Sequence, residues 1–319
     1  MTESAAIETT QLWKRYDDVE ALRGLDLRVP TGSIFGFQGR NGAGKTTGMK
    51  VLLGMTRPTR GDAQVFGLSC SDSQSVDIRR RVAFVSDEKG LYDYMTVGEM
   101  IDFTRSFYPR WRDDLEQTYM RAFELSRSQE IKGLSRGTRT KVALLLAISR
   151  GSELLMLDEP TSGLDPATAE AVLRSLVGLV AAENTTVFFS SHQLAEVDQI
   201  ADHIAIVERG QTVVAGALDE LRAQYQRIQV VFDGEAPDVR IHSPGAHRVR
   251  KTRTCPDDPL GIDDARRGRR GAARLSSDRR RHDARQPEGN IPRIRRDGEL
   301  TCSGTKRGSK RAGASSLRC

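Results

Sequence analysis

The sequence predicts an α/β fold with a mostly parallel sheet, and two patterns carry this prediction. Residues 153–158 (ELLMLD) and 185–191 (TTVFFSS) are continuous apolar or β-branched runs, which are typical of parallel strands covered on both faces. The amphipathic segment from Ala167 to Ala182 predicts a helix between them. A third β-prone run, residues 33–37 (SIFGF), precedes a glycine-rich loop and a helical segment. Strands that alternate with helices in this way favour a parallel sheet.

The remaining segments extend this core at both ends. Ala5 to Trp13 and Ala21 to Val29 predict an N-terminal antiparallel β part, because a turn-like KRYDD lies between them. Thr96 to Arg150 is helical in pattern, without a convincing strand, and predicts a helical subdomain. HIAIVE and QTVVAG flank Arg209-Gly210 as a predicted hairpin. ALDELRAQY then predicts a last helix before the run RIQVVF.

Composition separates the chain into a globular part, residues 1–232, and a basic tail, residues 233–319. Phe232 is the last aromatic residue of the 319, so the tail has little apolar surface with which to offset chain entropy. Residues 251–319 carry 19 Lys plus Arg against 9 Asp plus Glu, a net charge of +10. Since the whole chain carries +6, residues 1–250 carry −4. The basic excess therefore lies outside the patterned part, and no specific nucleic-acid partner is expected.

Cysteine usage and the N-terminus predict a cytoplasmic protein. Cys70 is the single cysteine of the globular part, and the other three, Cys255, Cys302 and Cys319, lie in the tail without metal-site spacing. The start MTESAAIETT lacks the pattern of a signal peptide, and no stretch approaches the ~18 apolar residues of a membrane span. Any work at a membrane therefore requires a partner.

Residues 39–47 fit the phosphate-loop pattern, in which four residues separate the first glycine from Gly-Lys-Thr. Glycines let backbone N–H groups turn toward the phosphates, and the following helix presents its positive end to them. Lys45 adds a mobile charge, and the Thr46 hydroxyl is a hard donor suited to Mg²⁺. The alternative is a chance glycine-rich turn. The loop predicts nucleotide binding by Gly39, Arg40, Asn41, Gly42, Ala43, Gly44, Lys45, Thr46 and Thr47.

Two adjacent carboxylates end the predicted strand LLML. Ligands of open parallel sheets bind at the carboxyl ends of the strands, where Asp158 and Glu159 lie. Neighbouring strand positions point opposite ways, so Asp158 is predicted to support Mg²⁺ and Glu159 to orient or deprotonate the attacking water. The alternative is an ordinary strand-to-turn acidic pair ended by Pro160.

With these two motifs in place, the chain resembles the nucleotide-binding subunit of ABC transporters from about Ala5 to about Tyr225. LSRGTR (134–139), SGLD (162–165) and SSHQLAEV follow in the family's order, with LSRGTR similar to its LSGGQ signature. The resemblance implies a P-loop NTPase core whose helical subdomain carries the signature. It also implies that two such domains, as a homodimer or heterodimer, enclose ATP between the phosphate loop of one and the signature of the other.

The resemblance also assigns residues outside the phosphate loop, each with a plainer alternative. Ser135 and Gly137 would contact the γ-phosphate of the other subunit, or serve as a helix start. Asp165 would lie near the dimer seam, or cap the helix that begins at Pro166. His192 would contact the γ-phosphate and the water, or be a structural or solvated histidine. Tyr16 would stack on adenine, or simply pack.

Three features depart from the family pattern. Asp87 occupies the position of a common Gln, so a carboxylate replaces a carboxamide and is predicted as a further Mg²⁺ ligand. Arg136 stands where Gly is commonest in the signature, as in a branch of bacterial exporter-like subunits. The tail resembles a GC-rich gene read out of frame, which predicts a frameshift between about Val239 and Arg250 and disorder beyond it. The alternative is a functional basic arm for RNA or anionic lipid.

These features favour an ATPase, located on the inner face of the cell membrane, that drives solute export through a separate permease. A soluble ABC ATPase of translation or DNA repair is the alternative, although the chain has neither a second nucleotide domain nor a long coiled-coil or zinc insertion. A GTPase or kinase would leave LSRGTR, SGLD and SSHQ unexplained. The sequence does not indicate the transported solute.

Overall fold

The structure is a computed structural model that describes residues 4–70 and 73–224, and three short strands nearer the C-terminus. The chain divides into two units, Met1–Gln224 and Tyr225–Cys319. In the second unit, the three strands pair in the antiparallel order β11-β12-β13. They are β11 Pro292–Ile294, β12 Leu300–Ser303 and β13 Ser316–Leu317. The other residues of the proposed tail, and the run RIQVVF, lie outside the described residues, so disorder and a frameshift remain predictions.

A six-stranded sheet in the order β10-β9-β3-β8-β7-β6 forms the centre of the first unit. Every pair in it is parallel except β9 with β10, which form the predicted hairpin. The carboxyl ends of β3, β7 and β8 therefore meet at one edge. Its strands are β3 Ile34–Gly39, β6 Val82–Val85, β7 Leu154–Leu157, β8 Thr186–Ser191, β9 His203–Glu208 and β10 Gln211–Ala217.

A second, antiparallel sheet in the order β2-β1-β4-β5 confirms the predicted N-terminal β part. The two predicted strands are longer than expected, and β4 and β5 were not anticipated. β4 is short and only two of its residues are buried, so its sequence lacks a strong apolar signal. The strands are β1 Ala5–Tyr16, β2 Val19–Pro30, β4 Arg60–Val65 and β5 Leu68–Ser69.

The helices cover the parallel sheet and build the predicted helical subdomain, which contains α3, α4 and α5. Thr96 and Glu99 form a reciprocal capping box at the start of α3. Asn184, with φ +51°, ends α6 in the left-handed conformation. The helices are α1 Lys45–Leu52, α2 Ser75–Arg81, α3 Val97–Arg105, α4 Asp113–Ala122, α5 Arg136–Ser149, α6 Pro166–Glu183, α7 Leu194–Ile200 and α8 Leu218–Gln224. Among the helices within the described ranges, none is long and apolar enough to cross a membrane.

Two hydrophobic clusters lie on opposite faces of the parallel sheet, and strand β8 contributes to both. Phe188 packs toward the antiparallel sheet, with its ring centroid 5.7 Å from that of Phe35 and 5.2 Å from that of Phe37. Its neighbour Phe189 belongs to the cluster beneath the helical subdomain. Both phenylalanines are fully buried, as the continuous apolar run predicts. The predicted α/β fold class, with its antiparallel β part and helical subdomain, is thus confirmed.

Candidate active site

The loop between β3 and α1 holds the predicted phosphate-loop residues at the carboxyl edge of the parallel sheet. Gly44 has φ +104°, and a Cβ atom there would lie 2.5 Å from the Ala21 carbonyl oxygen, so this turn requires glycine. The loop closes on itself where the Ala43 amide donates to the Arg40 carbonyl at 3.0 Å. Arg40, Asn41 and Gly42 are exposed at its tip, whereas Ala43 and Lys45 are buried.

Lys45 is folded into the site although it carries a charge. Its side chain is 6% exposed, and Nζ donates to the Gly39 carbonyl oxygen at 2.7 Å. Nζ also lies 3.0 Å from Glu159 Oε1, which makes a mostly buried ion pair. A buried cation requires such partners, because desolvation otherwise costs several kcal/mol. Lys45 is thereby held beside the carboxylate that sequence analysis predicts as the base.

Glu159 connects this lysine to His192. Its Oε2 lies 2.7 Å from His192 Nδ1, so Lys45, Glu159 and His192 form one chain of polar contacts. Glu159 has φ +49°, a left-handed conformation that is uncommon for a residue other than glycine. Such strain persists where the surrounding structure enforces it, and it is frequent at functional sites. Here it places the carboxylate between a lysine and a histidine.

A second group of contacts surrounds Asp158. Asp158 is 4% exposed; its Oδ2 accepts a hydrogen bond from Thr46 Oγ1 at 2.7 Å, and its Oδ1 accepts one from Ser190 Oγ at 2.6 Å. Ser190 Oγ in turn accepts the Glu159 amide at 2.9 Å. A hydroxyl and a carboxylate in contact beside a phosphate loop are hard oxygen donors of the kind that Mg²⁺ prefers.

The donor set fits a magnesium ion that is shared with a nucleotide. In the ranges that the structure describes, no group of three or more His, Cys, Asp or Glu side chains forms a complete metal cage. Mg²⁺ does not need such a cage, since it commonly takes one or two protein ligands and completes its shell with water and substrate phosphates. Thr46 and Asp158 supply that number.

Ser135 of the predicted signature and Asp165 of SGLD each lie at a helix start. Ser135 Oγ accepts the Thr138 amide at 3.1 Å and caps α5, and Asp165 Oδ1 accepts the Thr168 amide at 3.0 Å and caps α6. Hydrogen bonding to the Thr168 side chain, and then to the Thr168 amide, lowers the pKa of Asp165. Gly137 packs closely on α6, because a Cβ there would lie 3.0 Å from Thr168 Cγ2. Within residues 4–70 and 73–224, no hydrogen bond joins Ser135, Gly137 or Asp165 to the phosphate loop.

Tyr16 and Thr47 are the other predicted nucleotide contacts. Tyr16 ends β1 with its side chain 42% exposed, and Lys14 Nζ lies 4.7 Å from the centroid of its ring. Tyr16 therefore does not belong to the packed core. Thr47 lies in the first turn of α1 and is half-buried.

The two residues that depart from the family pattern contact one another. Arg136 Nη2 lies 3.1 Å from Asp87 Oδ1, and both side chains are about half exposed. In the same loop, Lys89 Nζ donates to the Ser86 carbonyl at 2.8 Å. Burial lowers the pKa of Lys89, an effect partly offset by the nearby charge of Asp87. Asp87 as a magnesium ligand remains a prediction.

Sequence reasoning missed Ser190 and the partner of Arg136. Ser190 is fully buried at the end of an apolar strand, a position at which a polar residue requires hydrogen-bond partners. The serine pair that ends TTVFFSS was the available signal. Asp87 and Arg136 are 49 residues apart, and their sequence gave no indication that they are neighbours.

Comparison with known proteins agrees with this geometry. The family model "ABC transporter" matches residues 22–162. The bacitracin transport ATP-binding protein BcrA of Bacillus licheniformis is 31% identical over 261 residues, covering 77% of this chain and 85% of that protein. The daunorubicin/doxorubicin resistance ATP-binding protein DrrA of Streptomyces peucetius is 35% identical, covering 68% of this chain and 67% of that protein.

Solved structures give the same result for the fold. An ATP-binding subunit of an ABC transporter aligns with a TM-score of 0.62 at 26% identity, covering 69% of this chain and 92% of that one. A dimeric ATP-binding cassette in a post-hydrolysis state, bound to ADP and Pi, aligns with a TM-score of 0.60 at 20% identity and supports the fold alone.

Proposed function

Because the chain belongs to the ABC transporter family as an ATP-binding subunit with ATPase activity, we propose that it drives solute export through a separate membrane permease. The proposed catalytic mechanism rests on one observation, which is that two series of polar contacts lie at the same edge of the parallel sheet. Lys45, Glu159 and His192 form the first. Thr46, Asp158 and Ser190 form the second.

In the proposed mechanism, the glycine-rich loop binds the phosphates of ATP through its backbone N–H groups and the N-terminus of α1. Lys45 then exchanges its bond with the Gly39 carbonyl for the β- and γ-phosphates. This exchange requires little movement, because the side chain is already buried beside the loop. The loop residues Gly39 to Thr47 and Tyr16, which offers an aromatic face to adenine, form the nucleotide contacts.

Glu159 is proposed to accept the proton of the attacking water or to orient that water. Its contacts with Lys45 and His192 fix the carboxylate from two sides, and the strained backbone directs it away from Asp158. His192 Nδ1 holds the carboxylate in place, and the other ring nitrogen is the proposed contact to the γ-phosphate. A bound magnesium ion, for which Thr46 and Asp158 are the proposed ligands, would neutralise charge on the phosphates.

Among the described residues of one subunit, no hydrogen bond joins the signature to the phosphate loop, and this supports dimeric action. Ser135 and Gly137 at the start of α5 are proposed to bind the γ-phosphate held by another subunit, with Asp165 near the seam. The Ser135 hydroxyl accepts the Thr138 amide and lies 2.9 Å from the Thr138 hydroxyl. With the Thr138 hydroxyl as the donor of that contact, the Ser135 proton can bind a phosphate oxygen. The existence of dimeric cassettes with this fold favours the arrangement.

The permease partner is proposed to dock on an exposed aromatic cluster, Tyr92, Tyr94, Phe103 and Phe107. The ring of Tyr92 contacts those of Tyr94 and Phe103 at centroid distances of 5.6 and 5.7 Å, and Phe103 contacts Phe107 at 5.1 Å. Each is at least 40% exposed, and Tyr94 reaches 80%. Contiguous exposed apolar surface marks interaction sites, and this surface lies on the cytoplasmic face of the membrane in the proposed complex.

Catalysis is tested with Glu159→Gln and Lys45→Ala. Glu159→Gln should retain ATP binding while turnover falls by roughly 10²-fold, the scale of lost general-base assistance. Lys45→Ala should instead weaken ATP binding itself, because it removes a charge directed at the phosphates. Isothermal titration calorimetry measures ATP binding, and a coupled phosphate-release assay measures turnover, so the two effects are distinguished. Wild-type turnover in Glu159→Gln would remove the proposed role of that carboxylate.

Export is tested by co-expression with any multi-span permease encoded beside this gene. The drug-transport and drug-resistance relatives favour export over the alternative of a soluble ATPase in translation or DNA repair. ATP-dependent accumulation of a solute in inverted membrane vesicles should require both proteins and an intact Glu159. Co-sedimentation with ribosomes or DNA, without stimulation by a permease, would instead support the soluble alternative.

A further inference from the structure

We propose that Asp87 is a positioning residue that holds the Arg136 guanidinium within its own subunit, away from the ATP bound by the other subunit. This inference rests on the proposed function, since it concerns how the signature meets ATP. In this view Asp87 and Arg136, which each depart from the family pattern, compensate for one another as a charge pair.

Arg136 joins three segments that sequence analysis treated separately. It is the first residue of α5, and its Nη2 lies 3.1 Å from Asp87 Oδ1 in the loop after β6. The same nitrogen lies 3.5 Å from Ser162 Oγ, in the SGLD segment after β7. One guanidinium thus connects the acidic loop, the signature and SGLD in one subunit.

The guanidinium also lies directly against Gly163. A Cβ atom at this position would lie 2.7 Å from Arg136 Nη1 and 2.9 Å from Cζ, and Gly163 has φ +69°. The absence of a side chain at 163 therefore leaves the space that the guanidinium occupies. Ser162 and Gly163 thus contact the guanidinium, and the Asp87 carboxylate neutralises its charge.

Release of Arg136 would place a cation beside the predicted phosphate contacts. Arg136 directly follows Ser135, and its side chain is 56% exposed even when paired. A guanidinium without a carboxylate partner binds phosphate oxygens strongly, often through two hydrogen bonds. Loss of the Asp87 charge should therefore let Arg136 bind the other subunit's triphosphate, which favours the closed dimer and delays its reopening.

The test is a double-substitution cycle of wild type, Asp87→Asn, Arg136→Gln and the double variant. In the Glu159→Gln background, light scattering measures the ATP concentration at half-maximal dimerisation. Asp87→Asn should lower that concentration by about two- to fivefold, the scale of an exposed charge pair. Without Arg136 the Asp87→Asn change should have no further effect. In the hydrolysing protein, KM and kcat should both fall in Asp87→Asn, and Asp87→Glu should restore wild-type values.

A matched control lies one helical turn along α5. Arg139 Nη1 lies 2.7 Å from Asp93 Oδ1, so a loop carboxylate again pairs with an arginine of the same helix. Among its described hydrogen bonds, Arg139 contacts Asp93 and the Ile131 carbonyl but neither Ser162 nor Gly163. Asp93→Asn should therefore leave the ATP dependence of dimerisation unchanged. The effect of Asp87→Asn should also shrink as salt rises from 0.05 to 0.5 M (chosen assay values), because salt screens exposed charges.

Two results would overturn the inference. In the first, Asp87→Asn changes the dependence of dimerisation or turnover on ATP or Mg²⁺ by the same amount whether residue 136 is Arg or Gln. That result would make Asp87 a metal ligand instead of a partner of Arg136. The other is a rise in the ATP concentration needed for dimerisation, since a merely structural role predicts weaker assembly. Failure of the proposed function is distinguishable, because Lys45→Ala would then retain wild-type ATP affinity.

Discussion

Ser190→Ala offers the sharpest test of how the fold builds the site. The Ser190 hydroxyl is fully buried, donates to the Asp158 carboxylate at 2.6 Å and accepts the Glu159 amide at 2.9 Å. A hydrogen bond to a charged group contributes about 1.5–3 kcal/mol, and one to a neutral amide about 1 kcal/mol. The substitution should therefore reduce the free energy of unfolding by about 2.5–4 kcal/mol. For a domain of this size, the melting temperature should fall by about 5–15 °C.

The same substitution should also reduce ATP turnover, because Asp158 loses the group that fixes its orientation toward Thr46. Residues that orient a metal ligand typically contribute about 10- to 100-fold to metal affinity or activity. The assay measures turnover against Mg²⁺ concentration at 15 °C (a chosen temperature), at which the variant remains folded by circular dichroism. We expect a rise in the Mg²⁺ concentration needed for half-maximal turnover.

Thr186→Val is the matched control on the same strand. Thr186 Oγ1 accepts the Gly32 amide at 3.0 Å at the opposite end of β8, and Val preserves the shape of the side chain. It should cost about 1 kcal/mol of stability without changing the Mg²⁺ dependence. Wild-type turnover and Mg²⁺ dependence in Ser190→Ala would refute the orienting role. An equal change in Thr186→Val would show that the effect is general destabilisation.

Two further predictions concern the rest of the chain. Burial raises the pKa of Cys70 to about 12 from 9.0, so at pH 8 the folded thiol should be alkylated about 10³-fold more slowly than an ordinary thiol. At pH 8, labelling of Cys70 in the folded protein should stay far slower than in urea, and peptide mass spectrometry after an iodoacetamide pulse measures both rates. Fast labelling of the folded protein at pH 8 would contradict burial. Truncation after Arg250 should leave melting temperature and ATP affinity unchanged, because the removed sequence has no aromatics or apolar periodicity. A clear drop in melting temperature, measured by calorimetry, or in ATP affinity, measured by titration, would show that the tail packs on the core. Loss of salt-sensitive RNA or lipid binding on truncation would favour the basic-arm alternative.

Structural elements could be predicted wherever the pattern within a single segment determines its local structure. The runs ending in Asp158 and Ser191 are apolar throughout because both faces of β7 and β8 are covered, so their position at the sheet centre was predictable. The phosphate loop was predictable because glycine spacing reports a local backbone requirement, as at Gly44.

Contacts between distant segments were not predictable in the same way. Strand β4 pairs with β1 across more than 40 residues, and β5 pairs with β4. The sequence of these two short strands alternates too weakly to predict a strand. The Asp87–Arg136 pair and the two bonds of Ser190 depend on tertiary packing that brings separate loops together. Single-sequence reasoning identifies such residues as unusual, but it does not identify their partners.

The placement of Phe188 and Phe189 in different clusters has a consequence for cooperativity. A shift of β8 by one residue would exchange the two rings between the clusters and would also move Ser190 to the opposite face of the sheet. The alignment of the catalytic edge is therefore fixed by the same register that fixes both hydrophobic clusters. Local melting of this edge, with the rest of the domain intact, is thus disfavoured. On heating, ATP turnover and tertiary structure should disappear in one transition.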